Sequence, residues 1–188
     1  DGHADDVSLV LVGSKGWLSD EVFARAQNPS GNSSSIVVTG YVDDCDLASL
    51  YAGASLFCYP SLDEGFGLPV LEAMHAGVPV ITSDRAPLVE VSGAAAIHVD
   101  PLDIDALASS MNDVLNDTEL SSSMTDSGVE HVAKFTWDRS AEMTVEMYNR
   151  WAPERLRATA EINRRFYRRE PAGSTARPST ELHNQSFA

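Results

Sequence analysis

Five short runs in this chain place apolar and β-branched residues at successive positions: 7–12, 36–39, 56–59, 78–82 and, more weakly, 95–99. A strand with one wet face alternates apolar and polar residues. A run that is apolar on both faces has to be covered on both sides, as the strands of parallel sheets are. Gly13 ends the first run and Gly40 the second. Helical patterns lie between the runs. Val22, Phe23 and Ala26 follow Ser19, a helix-capping residue type. Leu47, Leu50, Tyr51 and Ala54 recur at three and four residues behind the possible caps Asp43 and Asp44. Residues 68–76 are bounded by Gly67 and Gly77. The order β-α-β-α-β-α-β predicts an α/β fold with a Rossmann-like, doubly wound parallel sheet.

After Pro101 the pattern becomes helical. One helix is expected to open at Leu102-Asp103, with Leu107, Met111, Val114 and Leu115 on one face. A second runs from about Asp117 to Phe135, and a third starts at Thr136-Trp137-Asp138. Residues 1–150 are expected to form one domain and 151–170 an Arg-rich terminal helix. Residues 171–188, rich in Pro, Ser, Thr, Gly, Asn and Gln, read as a disordered tail.

The net charge of −15 is uneven: residues 151–188 hold seven Arg and four Glu, and the remainder holds 6 basic against 24 acidic residues. An acidic body excludes a nucleic-acid partner, which needs a basic face. It also means that any phosphate site must be built locally from backbone N–H groups and helix ends. The polar start, Asp1 to Asp6, is no secretory signal, and no apolar run reaches the ~20 residues that span a bilayer. Cytoplasmic residence is the expectation. Cys45 and Cys58 do not make a disulfide framework; Cys58 reads as a core residue, and Cys45 has no assigned role. His75 and His98 read as structural, and the scattered His and Cys offer no metal-ligand spacing.

The chemistry concentrates in Pro60-Ser61-Leu62-Asp63-Glu64-Gly65-Phe66-Gly67-Leu68-Pro69-Val70-Leu71-Glu72-Ala73-Met74. A strand ends, a glycine-bearing loop follows, and a helix begins with Pro69 in its first turn, where proline is favoured. Ligands of open α/β sheets bind at this carboxyl end of the strands. Gly65 and Gly67 let a ligand approach the backbone, and free N–H groups with the helix dipole favour a diphosphate. Glu64 and Glu72 flank that cradle. Carboxylates repel phosphate but accept hydrogen bonds from sugar hydroxyls. A diphosphate with hydroxyls on both sides is a nucleotide sugar. The plain alternative is an ordinary two-glycine turn followed by a solvated helix-start carboxylate.

The run from Pro60 to Ile81 resembles the donor-site signature of family 4 of the retaining glycosyltransferases, which have the GT-B fold. Glu64 and Glu72, with seven residues between them, match that family's paired glutamates. The resemblance extends through Gly40-Tyr41-Val42, residues 47–54 and Val99-Asp100-Pro101, and covers roughly residues 7 to 150. It implies that Glu64 accepts from the donor hexose and that Gly65, Phe66 and Gly67 line the sugar. Leu68 would face the diphosphate through its backbone. Glu72 would bind the ribose, and Tyr41 and Val42 would border the base. Lys15, in Gly13-Ser14-Lys15-Gly16-Trp17, is either a phosphate contact or a surface lysine.

The same resemblance implies hexose transfer from a nucleotide diphosphate sugar with retention, without metal or other cofactor. The Gly13 to Trp17 stretch is similar to that of some mannosyltransferases, so GDP-mannose is the first expectation and UDP-glucose the second. The family's earlier strand, with its Arg and Lys, and its N-terminal acceptor domain have no counterpart here. These 188 residues alone are therefore expected to bind donor weakly and not to turn over. The alternatives are a non-catalytic nucleotide-sugar-binding module that docks on a partner domain, or a remnant. The stretch from Arg155 to Arg169 reads as a solvated helix, a helix crossing to another domain, or a peripheral contact with the inner face of a membrane.

Overall fold

The computed structural model describes residues 7–14, 16, 20–27 and 36–151. The chain divides into two compact units, Asp1–Thr136 and Trp137–Ala188. In the first, β1 (Leu9–Val12), α1 (Asp20–Gln27), β2 (Ile36–Gly40), α2 (Asp44–Ala52), β3 (Phe57–Tyr59) and α3 (Leu68–His75) come in order. They are followed by β4 (Val80–Ser83), α4 (Ala86–Ser92), a 3-10 turn at Gly93–Ala95, β5 (Ile97–Val99), α5 (Ile104–Asn116) and α6 (Thr118–Val132). The second unit holds α7 (Trp137–Trp151). The Ser19 cap, Lys15, Trp17, the Arg-rich stretch and the tail lie outside the described residues.

All described strand pairs are parallel, and each expected run forms its strand within two residues. The hydrogen bonding divides them into two sheets, β1-β2 and β3-β4-β5. Cys58 pairs with Ile81 and Ile81 with Ile97, so β4 is the centre of the larger sheet. Every residue of β4 is buried. Its alternate side chains feed two cores. Val80 joins Val70, Ala73, Met74 and Leu88 on one face, while Ile81 joins Val99, Val114 and Met124 on the other. Cys58 borders the second cluster, the core position expected of it, and Cys45 is exposed.

Aspartates begin three of the helices. The side chains of Asp43, Asp103 and Asp117 accept from the backbone N–H of Asp46, Ala106 and Leu120 at 3.2, 2.9 and 2.9 Å. Each satisfies a donor that a helix start leaves unpaired, so part of the acidic composition serves as capping. Helix α4 was not foreseen: at seven residues it is too short to show a period, although Pro87 sits in its first turn. Its end is fixed by Ser92, whose hydroxyl donates to the Leu88 carbonyl at 2.7 Å. With that hydrogen committed, the Nε2–H of His98 is the donor in the 2.7 Å contact with Ser92 Oγ. Burial holds the His98 pKa below its usual value, against the nearby Asp84 charge. A neutral ring bridging α4 and β5 is the structural role expected of His98.

Gly128 of α6 lies against Met74 of α3, and a Cβ there would meet Met74 Cγ at 3.3 Å. Gly67, at the start of α3, has φ 101° and ψ 43°. A Cβ on Gly67 would stand 2.5 Å from Leu88 Cδ2. Left-handed backbone in a non-glycine residue costs about 1–3 kcal/mol. Gly67→Ala should therefore lower stability by about 2 kcal/mol or more in urea unfolding. Gly65→Ala, with open space around its Cβ, should stay within about 0.5 kcal/mol of the parent.

Candidate functional site

Strand β3 delivers the site loop. Its last residue, Tyr59, has its carbonyl held by the buried Thr82 hydroxyl at 3.0 Å, which fixes the point where the chain leaves the sheet. Pro60 to Gly67 then cross to α3. Glu64 is half-buried in this loop, Gly65 and Phe66 are exposed, and Gly67 is buried beneath Leu88. Gly67 caps α3 with no side-chain hydrogen bond, and Pro69 occupies the first turn. The helix thus starts with backbone N–H groups that no side chain covers, Leu68 among them. Backbone approach is open at Gly65. At Gly67 the absent side chain serves the positive φ and the packing of Leu88.

The two glutamates stand on either side of that helix start, and each is held by a phenol. Tyr59 Oη donates to Glu64 Oε1 at 2.5 Å, and Ser61 Oγ donates to the same oxygen at 2.9 Å. Tyr51, near the end of α2, donates through Oη to Glu72 Oε2 at 3.1 Å. Phe57 lies between the two tyrosines. Its ring meets Tyr51 edge-on at 5.4 Å and stacks on Tyr59 at 5.9 Å. The carboxylates are thereby linked through three packed rings. Sequence reading placed Tyr51 on a helix face and Tyr59 in a strand but gave neither a polar role. Tyr51 reaches Glu72 across 21 residues, a pairing that no local spacing reveals.

Tyr41 and Val42 follow the carboxyl end of β2; Tyr41 is 79% exposed and Val42 half-buried. Gly13 donates from its backbone N–H to the Gly40 carbonyl at 3.0 Å, joining the ends of β1 and β2. Lys15, next in the chain, lies outside the described residues. Sequence reading also passed over Arg85, a cation at the carboxyl end of β4. Its guanidinium lies 3.3 Å from both Asp84 and Asp100, and it is 38% exposed. Among the described residues, no group of three or more His, Cys, Asp or Glu could hold a metal ion. No described helix is long and apolar enough to cross a membrane.

The parallel α/β architecture is shared with glycosyltransferases of the GT-B fold among the structural neighbours. The family model described as glycosyl transferases group 1 matches residues 3–131, and the chain belongs to that family. Over 140 residues it is 39% identical to the O-antigen chain mannosyltransferase B of Escherichia coli, covering 74% of this chain and 36% of that relative. The chain spans between 16% and 36% of the length of the first curated relatives it matches, all of them mannosyltransferases. Sucrose-phosphate synthase from Thermosynechococcus elongatus superposes with a TM-score of 0.65 at 29% identity, over 76% of this chain and 38% of that one. The Anabaena protein HepE, solved in complex with UDP, gives a TM-score of 0.67 at 21% identity, over 76% and 41%.

Burial, and then the hydrogen bond to Glu64, pushes the Tyr59 phenol up to about 12. Burial and the Glu72 charge push Tyr51 up further. Burial pushes the Cys58 thiol up to about 11. All three groups keep their protons longer in the folded chain than in the unfolded one. Their contribution is complete below the ordinary values of 9.0 for Cys58 and 10.0 for the tyrosines, and it is lost as pH rises through the folded values. The urea midpoint should therefore fall as pH is raised from 9 to 12. A Tyr51→Phe/Tyr59→Phe double variant should show a flatter decline.

Proposed function

We propose that this chain forms the donor-binding part of a retaining family 4 glycosyltransferase that moves a hexose from a nucleotide diphosphate sugar. The observation that carries this reading is the pair of oriented carboxylates, Glu64 and Glu72, on either side of an uncapped helix N-terminus. N–H groups and the positive end of the α3 dipole suit a diphosphate, and the carboxylates suit the hydroxyls beyond each end of it. Glu64 accepts from the hexose, Gly65, Phe66 and Gly67 line it, and the Leu68 backbone faces the diphosphate. Glu72 accepts from the ribose, Tyr41 and Val42 border the base, and Lys15 is a further candidate for the phosphates.

The mannosyltransferase relatives support GDP-mannose as the first donor to test, with UDP-glucose second. In this reading the helix start and nearby cations stabilise the leaving diphosphate without a metal. Glu64 orients the sugar and does not attack it.

Among the described residues no ladder joins the β1-β2 pair to the β3-β4-β5 sheet. A strand placed between them, with the Arg and Lys that the family resemblance implies, would join the two sheets and bring two cations to the diphosphate. Two charge-assisted phosphate contacts are worth about 1.5–3 kcal/mol each. Together they would raise donor affinity by roughly two to four decades.

Calorimetric titration of the 188-residue chain with GDP, UDP, GDP-mannose and UDP-glucose should show weak binding that prefers one base. Glu72→Ala should reduce it about tenfold or more, the range of a lost charge-assisted hydrogen bond. No binding at millimolar ligand would overturn the donor-site reading. Sugar transfer by the purified chain would overturn the expected inactivity.

A further inference from the structure

Each glutamate has two oxygens, and in each the structure commits one of them. Tyr59 and Ser61 both donate to Glu64 Oε1. Tyr51 donates to Glu72 Oε2. Among the described residues no donor reaches Glu64 Oε2 or Glu72 Oε1. A glutamate in a loop or on an exposed helix face otherwise samples many rotamers, and fixing a long side chain on binding lowers affinity by a factor of roughly 2 to 10. Here hydrogen bonds within the chain supply that fixing.

The tyrosines are themselves fixed. Thr82 holds the Tyr59 backbone at 3.0 Å, and Phe57 packs against both rings at 5.4 and 5.9 Å. Both hydroxyls are therefore held at a set separation by ring packing. We infer that Tyr59 and Tyr51 are positioning residues of the donor site: Tyr59 presents Glu64 Oε2 to the hexose hydroxyls, and Tyr51 presents Glu72 Oε1 to the ribose hydroxyls. This rests on the donor-binding reading above. Because the raised phenols stay protonated, both remain donors across the neutral range.

The two roles separate by ligand. A nucleoside diphosphate carries the ribose without the hexose; a nucleotide hexose carries both. The test is calorimetric titration of the 188-residue chain and its Tyr59→Phe and Tyr51→Phe variants with GDP and GDP-mannose, and with UDP and UDP-glucose. Phenylalanine keeps the ring packing and removes only the hydroxyl. Tyr59→Phe should weaken the nucleotide hexose about 3- to 10-fold and leave the nucleoside diphosphate within about 2-fold. Tyr51→Phe should weaken both ligands by the same factor, about 3- to 10-fold.

Both variants should keep the parent unfolding midpoint; Tyr59→Phe weakening both ligands equally, or a lowered midpoint in either variant, would mark a merely structural role and overturn the inference. So would unchanged binding in both variants while Glu64→Gln and Glu72→Gln weaken it; the donor-site reading would then survive. A parent chain that binds none of the four ligands, or binding indifferent to both glutamate variants, would defeat that reading and this inference with it.

Discussion

Strand β4 is covered on both faces, and the rest of the first unit is arranged by that burial. Val80 and Ile81 are adjacent in sequence but belong to different cores, one lined by α3 and α4 and the other by α5 and α6, with the end of α6 also reaching the first through Val132. Each core needs its own helical layer, so the chain must alternate strand and helix and keep its strands parallel. Met74 anchors the first layer at 0% exposure, and Gly128 lets α6 come close enough to cover it. Removing the side chain at one position in α6 thus determines how near two helices can pack.

The site inherits its order from that core. Thr82 projects from buried β4 to hold the end of β3, and Leu88 from α4 occupies the space above Gly67. The loop between Pro60 and Gly67 is therefore pinned at both ends by residues whose own positions are set by packing. Glu64 lies within this pinned span, and Glu72 lies on a helix whose opposite side is buried. One half-buried and one exposed carboxylate are thus held in place by the packing of their neighbours.

Much of this was legible in the sequence. Doubly apolar runs gave the strands, and Asp103 and Asp117 marked the starts of α5 and α6 because a capping carboxylate sits at a fixed spacing from the donor it satisfies. Glu64, Gly65, Gly67 and Glu72 stood out because residues close in sequence across a strand-to-helix turn remain close in space. Features that depend on distant residues did not show. Tyr51 meets Glu72 only because α2 packs beside α3, and Leu88 meets Gly67 only because α4 folds over the loop. The seven residues of α4 are shorter than the window in which a helical period declares itself. The separation into two ladders is equally silent in the sequence, because a strand's composition says nothing about which edge finds a partner.

The separation of the ladders also distributes resistance to opening unevenly. No described residue of β1 or β2 is buried, whereas β4 is buried throughout. Among the described residues no shared ladder joins the β1-β2 ribbon to the larger sheet. Segments with little buried apolar area exchange their amide protons through small, local unfolding events, long before the whole domain opens. The ribbon is such a segment, and Tyr41 and Val42 follow directly from its end. A ligand seated against Tyr41 and Val42 would therefore also slow the exchange of the β1-β2 amides, coupling occupancy of that edge to the protection of the ribbon.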